Sequence, residues 1–136
     1  MALVTIAASI YFGSIRYLKP AYAAAGTNAA TIGWTAYNGQ QTGDHYSPLT
    51  QIDRGNVAKL KVAWTFDTHE EGGLQANPLI IGRMLYAYTP SQKIVALDAA
   101  SGKVIWTFEP EAPGHQATRG FSYWTDGKRA ILFAGA

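Results

Sequence analysis

The chain reads as an all-β protein built from repeated four-stranded blades, and three observations predict this. The phrase Trp64-Thr65-Phe66-Asp67 returns as Trp106-Thr107-Phe108-Glu109, 42 positions later, with only an acidic exchange. A second correspondence, Leu85-Tyr86-Ala87-Tyr88-Thr89 with Leu132-Phe133-Ala134-Gly135-Ala136, is offset by 47 and tolerates a longer loop in the second copy. Between the copies, Ala96 to Trp106 has the form of a hairpin: Ile94, Val95 and Leu97 lead in, Asp98 to Gly102 supply turn chemistry, and Val104, Ile105 and Trp106 lead out. Strand-rich periods of roughly 40 to 50 residues indicate propeller blades. The Trp fits the same picture, because a large ring with one N–H donor needs an apolar slot and a polar partner, which a neighbouring copy can provide.

The elements follow in order. Residues 1–25 read as an export signal or membrane anchor: Ala2 to Ser14 is an apolar run of signal-core length, and Ala21-Tyr22-Ala23 resembles a small-residue cleavage site. Arg16 and Lys19 follow that run, where a signal would carry its positive charge first, and the run is short of the roughly 20 residues of a spanning helix. Residues 26–32 form a small, polar linker, and the folded part is expected over 33–136. Trp34 to Pro48, rich in Gly, Asn, Gln and Asp with an Asn38-Gly39 turn signal, is expected as an irregular strand with loops. Asn56 can cap one helical turn ending near Lys61. From there the pattern predicts strands at Val62 to Phe66, Pro78 to Ile81, Met84 to Thr89, Lys93 to Asp98, Val104 to Phe108, Gly120 to Trp124 and Ala130 to Ala134, with Gly82-Arg83 and Asp126-Gly127 as two-residue turns. That is one complete blade flanked by incomplete ones, whereas a propeller closes with four or more. The expectation is therefore the front part of a longer protein, with the remaining blades as partners of this chain.

Composition narrows the function. With 48% hydrophobic and 15% charged residues the chain is neither disordered nor a coiled coil. A formal charge of +2 with no basic cluster gives no footprint for nucleic acid. The absence of cysteine removes disulfides, thiolate metal sites and thiol catalysis. No phosphate-binding glycine loop or serine-nucleophile elbow is present. Asp67, His69, Glu70 and Glu71 lie together, but in a loop ending at Gly72-Gly73 without helical or strand spacing, so they read as solvated loop residues. His45 and His115 have no partner at ligand spacing.

The pattern Ala-x-Asp-x-x-x-Gly-Lys-x-x-Trp at Ala96, Asp98, Gly102, Lys103 and Trp106 resembles the tryptophan-docking motif of the pyrroloquinoline-quinone (PQQ)-dependent dehydrogenases, which are eight-bladed β-propellers. Four further stretches agree in order: Tyr46-Ser47-Pro48-Leu49 with Asn56-Val57 and Leu60; Ala63 to Phe66; Asn77-Pro78-Leu79; and Arg119-Gly120-Phe121-Ser122-Tyr123-Trp124. Together they cover about residues 33–136. Gln75-Ala76-Asn77-Pro78 and Thr89 to Lys93 look most like the glucose-dehydrogenase branch, although alcohol-oxidising members share most of these words.

The resemblance implies an exported, periplasmic enzyme, free or held at the inner membrane. Such an enzyme oxidises a sugar or alcohol by base-assisted hydride transfer to the quinone, with Ca²⁺ polarising the quinone carbonyl and electrons passing to a respiratory quinone or cytochrome. It implies two cofactor contacts. Arg119 matches an arginine that hydrogen-bonds PQQ, and a fixed, always-charged guanidinium suits a tricarboxylate. Gln75 stands where many alcohol-oxidising relatives have a cofactor-contacting Glu, and its amide keeps an acceptor while adding donors. The calcium ligands, general base and quinone floor belong to later parts of the family's chains, so the chain alone is expected to be inactive. The vicinal Cys-Cys of some members is missing from Gly114 to Thr118, as is usual in the glucose-type branch. A non-enzymatic propeller using the same docking hairpins as an assembly scaffold is the alternative.

Overall fold

Five β-strands between residues 79 and 125 and two more, one from each end of the chain, make two sheets in a computed structural model that describes residues 3–8, 33–40, 42–74, 76–111 and 120–135. The first sheet is an antiparallel meander of β2 (Leu79–Ile81), β3 (Met84–Tyr88), β4 (Ile94–Asp98) and β5 (Val104–Phe108), in that spatial order. The second has the order β1 (Leu3–Ala8), β7 (Arg129–Ala134), β6 (Phe121–Thr125). It is mixed: β6 and β7 form an antiparallel hairpin, and β1 joins β7 in parallel, with Leu3 opposite Arg129 and Ala8 opposite Ala134. The four-stranded meander fits the blade expected between the two repeats. The linker at 26–32, and residues 1–25 apart from β1, lie outside the described residues. No helix among the described residues is long and apolar enough to cross a membrane.

Register explains the burial. Leu79, Tyr86, Ala96 and Trp106 stand side by side across β2 to β5, as do Tyr88, Ile94 and Phe108. Side chains alternate between the faces of a sheet, so these residues share one face. On it they form a core with Phe121, Leu132 and Ala134 of the second sheet. The Tyr88 and Phe121 rings stack at 4.2 Å and 1°, and the Tyr88 hydroxyl donates to the Gly135 carbonyl at 3.1 Å. Each large apolar side chain withdrawn from water in this way contributes about 1.5–3 kcal/mol. The opposite face is closed as well, since Val95 and Leu97 are as buried as Ile94 and Ala96. A central strand covered on both sides has no reason to alternate, which is why β4 reads as the unbroken apolar run Ile-Val-Ala-Leu. At the edge, β5 leaves Val104 and Ile105 exposed.

The docking hairpin receives a tryptophan from the earlier copy of the repeat. Trp64 lies over the β4–β5 turn and its Nε1–H donates to the Ala99 carbonyl at 3.1 Å. Gly102, in the left-handed region at φ 71°, lets the ring down onto the backbone: a Cβ there would fall 2.5 Å from Trp64 Cε3. The turn itself is organised by Asp98, whose Oδ1 accepts the N–H groups of Ala100 and Ser101 and the Ser101 hydroxyl, while Arg83 reaches its Oδ2 at 3.2 Å. Trp106 is half-buried against Tyr86 on the core face, with ring centroids 5.9 Å apart.

Three local expectations change. Val62 to Phe66 pairs with no strand among the described residues, and Val62 is 79% exposed; the alternating pattern suits a strand, but here Trp64 and Phe66 are only partly buried, and the Trp64 indole ties the segment to the β4–β5 turn. Near Asn56 there is a single 3-10 turn, Val57–Lys59, and the Asn56 side chain does not cap it. It donates instead to the Gln51 carbonyl and accepts from the Asp53 N–H. The β6–β7 turn has three residues, because Asp126 Oδ1 accepts the N–H groups of both Lys128 and Arg129 and so starts β7 at Arg129. From Trp34 to Pro48, Trp34 makes a single bridge to Ile80 at the free edge of β2.

Candidate functional site

A meander of four strands has two ends. At one lie the β2–β3 and β4–β5 turns with the docked Trp64. At the other lie the start of β2, the β3–β4 turn (Thr89 to Lys93), the end of β5 and the start of β6. Both candidate cofactor contacts, Gln75 and Arg119, belong by sequence to this second end, and both lie outside the described residues. Their chain neighbours are described, and they meet: Gly120 sits against Asn77, and a Cβ on Gly120 would be 3.5 Å from the Asn77 carbonyl oxygen. Gly120 has φ 114°, a conformation that side-chain-bearing residues rarely adopt. The glycine after Arg119 thus allows β6 to start beside the start of β2, and the Tyr88–Phe121 stack fixes the approach one residue further on.

The same end carries a polar cluster that the sequence reading missed. Glu70, assigned there to a solvated loop, has a side chain only 17% exposed. Its Oε2 accepts the Ser91 N–H at 2.8 Å, and its Oε1 pairs with Lys93 Nζ at 3.4 Å. Lys93 Nζ also pairs with Glu109 at 3.2 Å, just past the end of β5. Burial pushes the Glu70 carboxyl up, but hydrogen bonds from the Ser91 N–H, the Thr89 and Ser91 hydroxyls and Lys93 outweigh it and bring the pKa from 4.5 down to about 2. Hydrogen bonds to Glu109 and Glu70 hold the Lys93 ammonium above its ordinary value. The turn they grip is tight, with Gln92 buried and left-handed at φ 65° and its N–H donating to the Thr89 carbonyl at 2.9 Å. No local pattern announces this cluster, since Glu70 and its partners are separated by some 20 residues or more. The rest of the acidic loop is solvated: His69 and Asp67 form an exposed pair at 3.3 Å. Among the described residues, no group of three or more His, Asp or Glu could hold a metal ion.

Residues 34–135 match the family described as "PQQ: Glucose/ethanol/alcohol dehydrogenase, beta-propeller domain". The chain belongs to this family. Relatives of this PQQ propeller chain carry both substrate names. It is 44% identical over 87 residues, 64% of its length, to the dehydrogenase subunit of alcohol dehydrogenase (quinone) from Gluconobacter oxydans (strain 621H). It is 36% identical over 135 residues, 90% of its length, to quinoprotein glucose dehydrogenase A from Acinetobacter calcoaceticus. Among solved structures, quinohemoprotein alcohol dehydrogenase from Comamonas testosteroni superposes with a TM-score of 0.56 at 29% identity over 61% of the chain. The chain spans 12% of the Gluconobacter relative, 17% of the Acinetobacter one and 12% of the Comamonas chain.

Proposed function

We propose that this chain supplies part of the cofactor face of an exported, eight-bladed PQQ-dependent dehydrogenase that oxidises a sugar, of the glucose type, or an alcohol. The observation that carries the reading is the meeting of Asn77 and Gly120 at one end of the blade, which brings together the strand starts that follow Gln75 and Arg119. Two such residues at adjoining strand starts suit a planar tricarboxylate: a guanidinium offers paired charge-assisted donors, and a carboxamide offers a donor and an acceptor. Bound PQQ would supply the hydride acceptor. In this chain Arg119 would neutralise and orient the cofactor's carboxylates, Gln75 would fix its rotation, and the Tyr88–Phe121 stack would keep both strand starts from drifting apart.

The glucose-type preference rests on the Acinetobacter relative, which aligns over more of the chain than the Gluconobacter alcohol dehydrogenase. In this proposal residues 1–25 are an export signal or anchor that takes the enzyme to the periplasm or the inner membrane, a role in which Leu3–Ala8 would leave its place beside β7. Ca²⁺ would be held by residues beyond this chain. Electrons would leave to a respiratory quinone or cytochrome, in keeping with relatives named for quinone and for cytochrome c. Arg119→Ala in the complete enzyme is expected to weaken PQQ binding by about 1.5–3 kcal/mol, measured by equilibrium dialysis. Unchanged affinity would remove Arg119 from the site, whereas a parent protein that binds no PQQ would favour a scaffold role for the propeller.

A further inference from the structure

The segment between β5 and β6 carries Arg119 and starts from Glu109, and Glu109 is tied through Lys93 to Glu70. We infer that Glu70 is a positioning residue for the cofactor end of this blade. Its carboxylate grips the β3–β4 turn at the Ser91 N–H and, through Lys93, anchors the point where the chain leaves β5. The inference rests on the PQQ reading above but assigns a role to residues that contact no cofactor in it.

Three features carry the argument. First, the geometry is bidentate in effect: the two oxygens of Glu70 serve two different groups, so its position is determined by both. Second, the cluster links three separate stretches of chain, around Glu70, Ser91 to Lys93, and Glu109. A link between distant stretches restricts their relative motion, which a bond within one loop does not do. Third, the loop carrying Glu70 is pressed onto the same turn a second time. Gly72, at φ 121°, faces Pro90, where a Cβ would fall 3.2 Å from the proline Cβ. Glu109, through Lys93, and Gly120, against Asn77, are each fixed to the blade. A clamp that touches no cofactor is read first in the affinity for it, because a looser site must be ordered on binding.

The test uses the complete enzyme and PQQ itself. Glu70→Ala removes both contacts, and Glu70→Gln keeps an acceptor for the Ser91 N–H while losing the charge that pairs with Lys93. The PQQ Kd is expected to rise about tenfold in the first and about threefold in the second, with kcat at saturating PQQ within about twofold of the parent in both. Native-state amide exchange of the apoenzyme at Ser91 is expected to accelerate about tenfold or more in Glu70→Ala, while exchange at Tyr86 stays unchanged. A loss of stability without a change in Kd would make the cluster structural only and overturn the inference, as would unaltered Ser91 exchange. If the parent enzyme binds no PQQ, the cofactor reading fails and takes the cofactor part of this inference with it, and Ser91 exchange still judges the clamp. If the parent binds PQQ and Glu70→Ala binds it equally well, this inference alone fails.

Discussion

Replacing Gly102 by alanine tests the reason this blade has a glycine under its tryptophan. The substitution meets two separate costs. At φ 71° any side chain strains the backbone, at about 1–2 kcal/mol. The new Cβ would also lie 2.5 Å and 2.6 Å from Cε3 and Cδ2 of Trp64, well inside ordinary contact. The indole must lift by roughly 1 Å to reach a contact distance of about 3.5 Å. That movement breaks the 3.1 Å bond from Nε1 to the Ala99 carbonyl, worth about 1 kcal/mol, and unseats part of the ring. The expected total is about 3 kcal/mol, of which only the backbone part survives when the ring is absent. In a Trp64→Ala background Gly102→Ala should therefore cost about 1–2 kcal/mol, leaving a coupling of about 1.5 kcal/mol. Guanidinium unfolding of the four proteins, followed by far-ultraviolet circular dichroism, measures the cycle. Additivity within about 0.5 kcal/mol would refute the close approach of ring to backbone as the reason for the glycine.

Burial raises the phenols of Tyr86 and Tyr88 from 10 to about 12, so a titration at 295 nm should show two tyrosines ionising late. The folded state favours the neutral phenols, so their contribution to stability is complete below pH 10 and is lost as pH rises from 10 toward 12; unfolding midpoints that do not fall across that window would contradict it. Phe121→Leu keeps an apolar side chain at a buried site and loses the 4.2 Å stack, for an expected cost of about 1 kcal/mol that shrinks when Tyr88 is also leucine; an equal cost in both backgrounds would show that the stack contributes nothing. The purified 136-residue chain, given PQQ and Ca²⁺, is expected to reduce no dye with glucose or ethanol; measurable turnover would place catalytic groups within it.

Much of this protein is determined by patterns that act over a few residues. The six strands from Leu79 to Ala134 were legible because alternation, β-branched content and turn residues such as Gly82 and Asp126-Gly127 act locally. The family was legible because five short phrases occur in order, and phrases survive without coordinates. Only the tertiary structure decided the rest. Which copy's tryptophan docks is a question of what lies over the β4–β5 turn, and Trp64 and Ala99 are 35 positions apart. Val62 to Phe66 has the alternation of a strand, but pairing depends on a partner edge, and no strand among the described residues offers it one. Glu70 is the clearest case: an acidic residue among acidic residues looks solvated until Ser91 and Lys93 are folded onto it. A carboxylate's role is decided by the donors that surround it, and those donors come from distant sequence.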